Sequence, residues 1–392
     1  MIGKTVSNRY LVQQTIGQGN FCAVYQAKDL LSPAKVALKV LKDPCGQADM
    51  ALEAAALTAL AHIGGVPKLL DSGTFEHQHY LVLELLDSDV YTLQRRRSPL
   101  PVDVVLSIAY AAIKILKGIH SAGYLHLDLK PDNLGVKRLS PGHQVYLLDF
   151  GLAKKYRFCG EHYCEGVAKQ LSGHPVFASI PVMKCRKPSR RDDLESLMYT
   201  LAYVGNGGLP WKGERGNATR EMWREMAVLK ESCTPEQVCG LLPPQFASIL
   251  THVRHLSFEA KPAYSQYLRE IQQAVSQTGL NPSTNWEKLL SSSGKLCFPS
   301  FASSKDITSD ITPRTDTRHY AVAPSMGFLS PVLAFPSSEL GFPTPHLSQS
   351  ETIEQEFAGR MEKRRSTLKK RADLVVTPSL RRHIEAMRVA ET

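Results

Sequence analysis

Apolar and polar residues alternate almost from the start of the chain. In "YLVQQTIGQGNFCAVYQAKD" (10–29) and "KVALKVLK" (35–42) the period is near two, with β-branched residues and glycine turns, which predicts strands. "DMALEAAALTALAHI" (49–63) is rich in Ala and Leu and predicts a helix, and "GVPKLLDSGTFEHQHYLVLELL" (65–86) returns to strands. From about residue 99 the period lengthens. "PVDVVLSIAYAAIKILKGIHSAG" (101–123) predicts a strong helix ending at Gly123, and further helices are expected over 192–204, 218–231, 243–256 and 262–279. The pattern is therefore α+β: a small β-rich lobe with one helix over about 8–86, then a larger, mainly α-helical lobe over about 87–290. No internal repeat is present.

Near 290 the composition shifts. Residues 291–350 are rich in Ser, Pro and Thr without a sustained period and are expected to be a disordered linker. In the basic tail, 351–392, Ile353, Phe357 and Met361 recur at i, i+4, i+8, which suggests a short amphipathic helix. Ser330, Thr344 and Thr377 each precede proline and are candidate phosphorylation sites, with damping of activity by a phosphorylated tail as the associated expectation.

The formal charge is +10. A basic balance attracts polyanions, and its densest run is "KRRSTLKKR" (363–371). That run is a candidate polyanion or nuclear-import contact; a solvated helix face reads the same way. A nucleic-acid-binding protein rests on charge alone and is expected at most as an accessory property. No apolar stretch follows the N-terminus as in a secretory signal, and no run of about 18 apolar residues suits a membrane span. Eight scattered Cys read as free thiols. An intracellular protein, cytoplasmic and/or nuclear and monomeric, is expected.

The chemistry concentrates in four places. In "IGQGNFCAVY", Gly17 and Gly19 let backbone approach phosphate without a Cβ in the way, and Phe21 at the tip is placed to cap the phosphates from water. A lone G-x-G also suits a plain hairpin turn. In "VALKV", Lys39 lies in an apolar strand, where an inward cation needs a partner; Glu53, fourteen residues on and on the predicted helix, supplies one. "HLDLKPDN" offers Asp128 to accept the proton of a substrate hydroxyl, Lys130 to neutralise charge on the transferred phosphoryl group, and Asn133 as a Mg²⁺ ligand. "LLDFG" offers Asp149 as the second Mg²⁺ ligand, and the sixteen residues between Asn133 and Asp149 leave room for a hairpin bringing both to one site.

With these motifs in this order the chain resembles the protein kinase superfamily. "DFGLAKKYR" (149–157), "LSGHPVFASI" (171–180), "SRRDDLESL" (189–197), "LPWKG" (209–213) and "FEAKPAYSQYLRE" (258–270) resemble the casein kinase 1 family within it. The resemblance implies a bilobal protein-kinase fold, ATP and Mg²⁺ as cofactors, and protein substrates bearing Ser/Thr hydroxyls. It implies a nucleotide pocket formed by Ile16, Gly17, Gly19, Phe21, Val24, Ala37 and Lys39. Leu83 would be the gatekeeper, and the backbone of Glu84 and Leu86 would face adenine. It also implies that Asp193 supports the catalytic loop from behind.

Two departures stand out. Leu127 replaces the Arg of the H-R-D triplet, which usually meets a phosphorylated activation loop; this argues against loop-phosphate switching, not against chemistry. Val176 stands where the family has an Arg for acidic or primed substrates, and "KCRKPSRR" (184–191) is the nearby source of cations or an ordinary solvated loop. A pseudokinase scaffold is the alternative reading, supported by Leu127, the missing third glycine at Cys22, and Val176. Cys159, His162, Cys164 and His174 crowd the activation segment, but their spacing matches no zinc pattern.

Overall fold

The computed structural model describes residues 1–279, apart from Asn20, 43–46, Pro141, 169–170 and 212–219, together with Trp286, Leu289 and Leu290. The linker, the basic tail and their expected phosphorylation sites lie outside the described residues.

The alternating N-terminal segments form one antiparallel sheet: β1 (Thr5–Val6), β2 (Tyr10–Gln18), β3 (Cys22–Asp29), β4 (Lys35–Leu41), β5 (Leu69–Phe75) and β6 (Gln78–Glu84), in the order β1-β2-β3-β4-β6-β5. Val12, Ala27, Val36, Leu38 and Val82 close one apolar cluster, while Ile16, Val24 and Ala37 form a second on the side that faces the rest of the molecule. Helix α1 (Gln47–Leu60) is the one helix of this lobe. It lies against β5 and β6 and buries Met50, Glu53, Ala56, Leu57 and Leu60.

The second lobe is built around α3 (Val102–Ser121). Val104, Ile108, Ala112, Leu116 and Ile119 are wholly buried on it, and each of the Val, Ile and Leu side chains contributes about 1.5–3 kcal/mol relative to exposure. Helices α5 (Arg190–Asn206) and α9 (Tyr264–Thr278) pack on α3, and α8 (Pro244–His255) packs on both of them. Helix α6 (Arg220–Ser232) runs beside α4 (Ile180–Met183). The start of α5 is set by the Asp192 carboxylate, which accepts the Ser189 N–H at 2.6 Å, and its end by Gly207 at φ 76°. Past α9, Trp286 stacks on His143 at 4.3 Å between ring centroids.

The expected α+β, two-lobed arrangement is present. Three short helices are not predicted by the periodicity: α2 (Val90–Arg96), α4, and α7 (Pro235–Cys239). They run too few turns for a repeat to show, and caps define them instead. Asp89 accepts the Thr92 N–H and hydroxyl, both at 2.7 Å, at the head of α2. Among the described residues no helix is long and apolar enough to cross a membrane.

Candidate active site

Strand β4 lies between β3 and β6, paired along both edges, and Lys39 on it is 6 % exposed. An ammonium there requires compensating charge. Glu53 on α1 meets it at 2.7 Å and Asp149 at 2.9 Å. Burial alone would lower the Lys39 pKa, but the Asp149 and Glu53 carboxylates overcome it and hold the pKa above its ordinary value. Burial likewise works against the charge of Asp149, and Lys39 with Lys130 and the Gly151 N–H holds it ionised, below the usual carboxylate range.

The second group of residues is carried by the segment between β8 (Tyr124–Leu125) and β9 (Leu134–Arg138). Asp128 Oδ2 accepts Lys130 Nζ at 2.7 Å and Asn133 Nδ2 at 2.9 Å; Asn133 Nδ2 also donates to the Asp128 carbonyl at 2.7 Å. Asn133 is thereby turned with its amide oxygen as the free end. The hairpin of β9 with β10 (His143–Leu147) is closed at its mouth by the Leu148 N–H donating to the Asn133 carbonyl at 2.8 Å. That bond sets Asn133 beside Asp149, as the spacing anticipates. The two present an amide oxygen and a carboxylate to one cleft, a hard-oxygen donor set that fits Mg²⁺ held together with nucleotide phosphates.

Asp193, in the first turn of α5, carries the loop. It accepts the main-chain N–H groups of His126 and Leu127 and the His120 Nε2–H, each at 2.8 Å. Burial opposes the Asp193 charge, but these donors, His120 foremost, hold its pKa below the ordinary range. Leu127 takes φ 68° and Asp149 φ 60°, uncommon for non-glycine residues, and both flank reacting positions. His126 is a positioning residue absent from the sequence reading. Its Nε2 pairs with the Leu148 carbonyl at 3.0 Å and its Nδ1 accepts the Asp128 N–H at 3.3 Å, and burial lowers its pKa. A neutral ring with the proton on Nε2 satisfies both bonds and ties the loop to the D-F-G strand.

Between the lobes lies a cleft of about 620 Å³, open to solvent. Its roof is Val24 and Ala37, packed with Ile16, and Leu83 stands at the back. Leu148 lines it as well, a residue not anticipated. The hinge and the glycine turn already hold partners of their own. The Glu84 N–H already donates to the Lys68 carbonyl at 3.0 Å and its carboxylate pairs with Lys137, so only the Glu84 carbonyl is left for a base. The Gly19 N–H donates to the Cys22 carbonyl at 2.9 Å and its carbonyl accepts Lys42 Nζ at 2.6 Å; the turn closes on itself. Phe21 is 72 % exposed at the tip of the turn. Leu86 is buried, its side chain tucked against Gly135, where a Cβ would come within 2.4 Å of Leu86 Cδ1. Gly17 pairs with Val24 across the β2–β3 hairpin.

The activation segment presses on the catalytic loop at Gly173. This glycine has φ 81°, and a Cβ on it would lie 2.6 Å from the Leu127 carbonyl oxygen. From below, the fully buried Lys230 donates to the carbonyls of Pro175 (2.9 Å) and Ala178 (2.6 Å), and Trp211 Nε1 donates to that of Val176 at 3.0 Å. Most cations of 184–191 already hold partners: Lys184 pairs with Glu231, Lys187 donates to the Cys164 carbonyl, and Arg191 donates to the Leu256 carbonyl. His162 sits among the rings of Tyr156, Tyr163 and Phe258, and His174 against Phe177. Among the described residues no group of three or more His, Cys, Asp or Glu is placed to hold a metal ion.

A sheet-rich lobe over a helical lobe, with a buried Lys–Glu pair above the cleft and an Asp–Lys–Asn loop below it, defines a phosphoryl-transfer architecture. A family model described as the protein kinase domain matches residues 10–272, well over half the chain, and the chain belongs to that family. Domains of this family use ATP and Mg²⁺.

Proposed function

We propose that this chain is an active, casein kinase 1-like Ser/Thr protein kinase, transferring the γ-phosphoryl group of Mg²⁺-ATP to Ser or Thr hydroxyls with Asp128 as the base. One observation carries the reading: Lys39, Glu53 and Asp149 form a single buried ion cluster that shares a cleft with Asn133, five residues from Asp128.

The bound metal would neutralise charge on the nucleotide phosphates. Asn133 and Asp149 would hold it, and Lys39, kept charged by its carboxylates, would orient the α- and β-phosphates. Asp128 Oδ2 is held by Lys130 and Asn133, which leaves Oδ1 for the proton of an acceptor hydroxyl. Lys130 lies 2.7 Å from Asp128, within reach of charge growing on the transferred group. Catalysis of this kind is chiefly positioning and electrostatic stabilisation, and no group it needs is missing. Leu127 and Val176, the departures from the family pattern, remove neither the base nor a metal ligand. A lysine two residues after the base supports Ser/Thr acceptors.

The test is transfer of labelled γ-phosphate to casein and to the chain itself, wild type against Asp128→Asn. Transfer lost in the variant supports the reading. A folded wild type that binds Mg²⁺-ATP yet phosphorylates neither acceptor nor a broad peptide panel moves it to the scaffold alternative.

A further inference from the structure

The Asp128 carboxylate is asymmetric. Oδ2 receives both Lys130 and Asn133, whereas Oδ1 accepts no hydrogen bond from the described residues. Oδ1 faces the activation segment: a Cβ on Gly173 would lie 3.8 Å from it. The next residue is His174. Its Nδ1 accepts the Val176 N–H at 3.3 Å, and its carbonyl accepts the N–H groups of Phe177 (2.9 Å) and Ala178 (2.8 Å). Its ring centroid stands 5.5 Å from that of Phe177, so backbone and ring are both held.

With Nδ1 acting as acceptor, a neutral ring carries its proton on Nε2. Neutrality follows from the surroundings. Burial lowers the His174 pKa to about 4, Lys130 and Lys230 push the same way, and Asp128 opposes them. Those three are the charged groups that face the ring, one pair from the catalytic loop and one from α6. The Nε2 atom makes no hydrogen bond within the described structure and is not sealed from solvent, since it is absent from the buried atoms without a partner. It is thus an N–H donor not sealed from solvent, on the residue next to Gly173, whose position faces the one Asp128 oxygen that has no partner.

We propose that His174 is an acceptor-positioning residue. Its Nε2–H holds the oxygen of the incoming hydroxyl while that hydroxyl points its proton at Asp128 Oδ1. The proposal rests on the kinase reading above. In the transfer the hydroxyl proton passes to Asp128, the oxygen lone pair forms the new P–O bond, and the bond to the β-phosphate oxygen breaks. His174 keeps its proton throughout. A neutral donor withdraws less electron density from the attacking oxygen than an imidazolium would, so the low pKa suits the role.

The experiment compares the full-length wild type with His174→Ala and His174→Gln, using casein and Mg²⁺-ATP. Gln retains a side-chain N–H donor of similar reach. His174→Ala is expected to lose about tenfold in kcat/KM for casein, with the Kd for Mg²⁺-ATP unchanged. His174→Gln is expected to recover to within about threefold of wild type. Equal transfer by wild type and His174→Ala overturns the proposal while leaving the kinase reading intact. So does a fall in both variants accompanied by weaker ATP binding or a lower melting temperature, which would mark a structural role. A wild type that transfers nothing removes both readings together.

Discussion

Asp193 Oδ1 accepts the main-chain N–H of Leu127 at 2.8 Å and holds that residue at φ 68°. The bond spans 66 residues of sequence and fixes the backbone immediately before Asp128. A bulky side chain at positive φ persists only where surrounding contacts determine it. Replacing Asp193 by Asn removes one of two accepting oxygens and leaves a buried N–H unmet, at a cost of about 1–3 kcal/mol. Asp193→Asn is expected to unfold at lower denaturant and to lose kcat while the Kd for Mg²⁺-ATP holds, as chemical denaturation and steady-state kinetics would register.

Leu127 itself packs with Leu125, Tyr156 and Tyr163. The position that carries a cation in loop-phosphate-switched kinases is here part of an apolar cluster. Leu127→Arg is expected to destabilise the chain by roughly 1–3 kcal/mol and to bring no gain in transfer. Phosphatase treatment of the wild type should not lower its initial rate. A rate gain in the arginine variant would contradict this account.

Gly173 has no room for a side chain. An alanine there would meet the Leu127 carbonyl oxygen, and that oxygen is backbone and cannot rotate away. Displacing the activation segment by about an ångström from the base is the kind of error that costs roughly 10²-fold in rate. Gly173→Ala should show a kcat loss of that order with near-normal nucleotide affinity, read by the same transfer assay and by ATP titration.

Glu53 and Asp149 share Lys39. With Glu53→Gln, Lys39 loses one of its two carboxylate partners, and Asp149 is drawn further from the metal it is proposed to hold. Because Asp149 still compensates Lys39, the cost stays below the roughly 3–5 kcal/mol of a buried pair broken outright. The variant should show a lower melting temperature, a higher KM for ATP and a higher Mg²⁺ concentration for half-maximal rate. An unchanged Mg²⁺ requirement would argue against the shared-lysine account.

The depressed pKa of His174 has a sign in stability. The unfolded chain takes up a proton at this residue as pH falls through about 6.5, whereas the folded chain resists until about 4. In that window the unfolded state binds more protons, so stability falls as pH is lowered and is retained above 6.5. His126 is shifted in the same direction and is present in wild type and variant alike. The stability of His174→Gln relative to wild type should therefore rise between pH 7.5 and pH 5, as denaturant midpoints at the two values would reveal.

Much of the molecule is legible in local patterns. Period-two runs made the first sheet, period-3.6 runs made the long helices, and the spacing of Asn133 and Asp149 implied the hairpin that joins them. Lys39 in an apolar strand demanded a partner, and Glu53 was within reach. These follow from the sequence alone because strand and helix periods, and the cost of a buried charge, act over a few residues or one packed pair. Where burial and register join distant segments, only the folded chain decides. The Glu84 N–H was taken by Lys68, the Gly19 turn bonded to itself, and Phe21 faced solvent, because neighbouring strands and loops claim backbone groups that no motif reserves. Gly173 against the Leu127 carbonyl, Lys230 beneath the activation segment, Leu86 under Gly135 and Asp128 Oδ1 left open beside His174 all arise the same way. Each depends on surfaces whose shapes exist only after segments distant in sequence have packed.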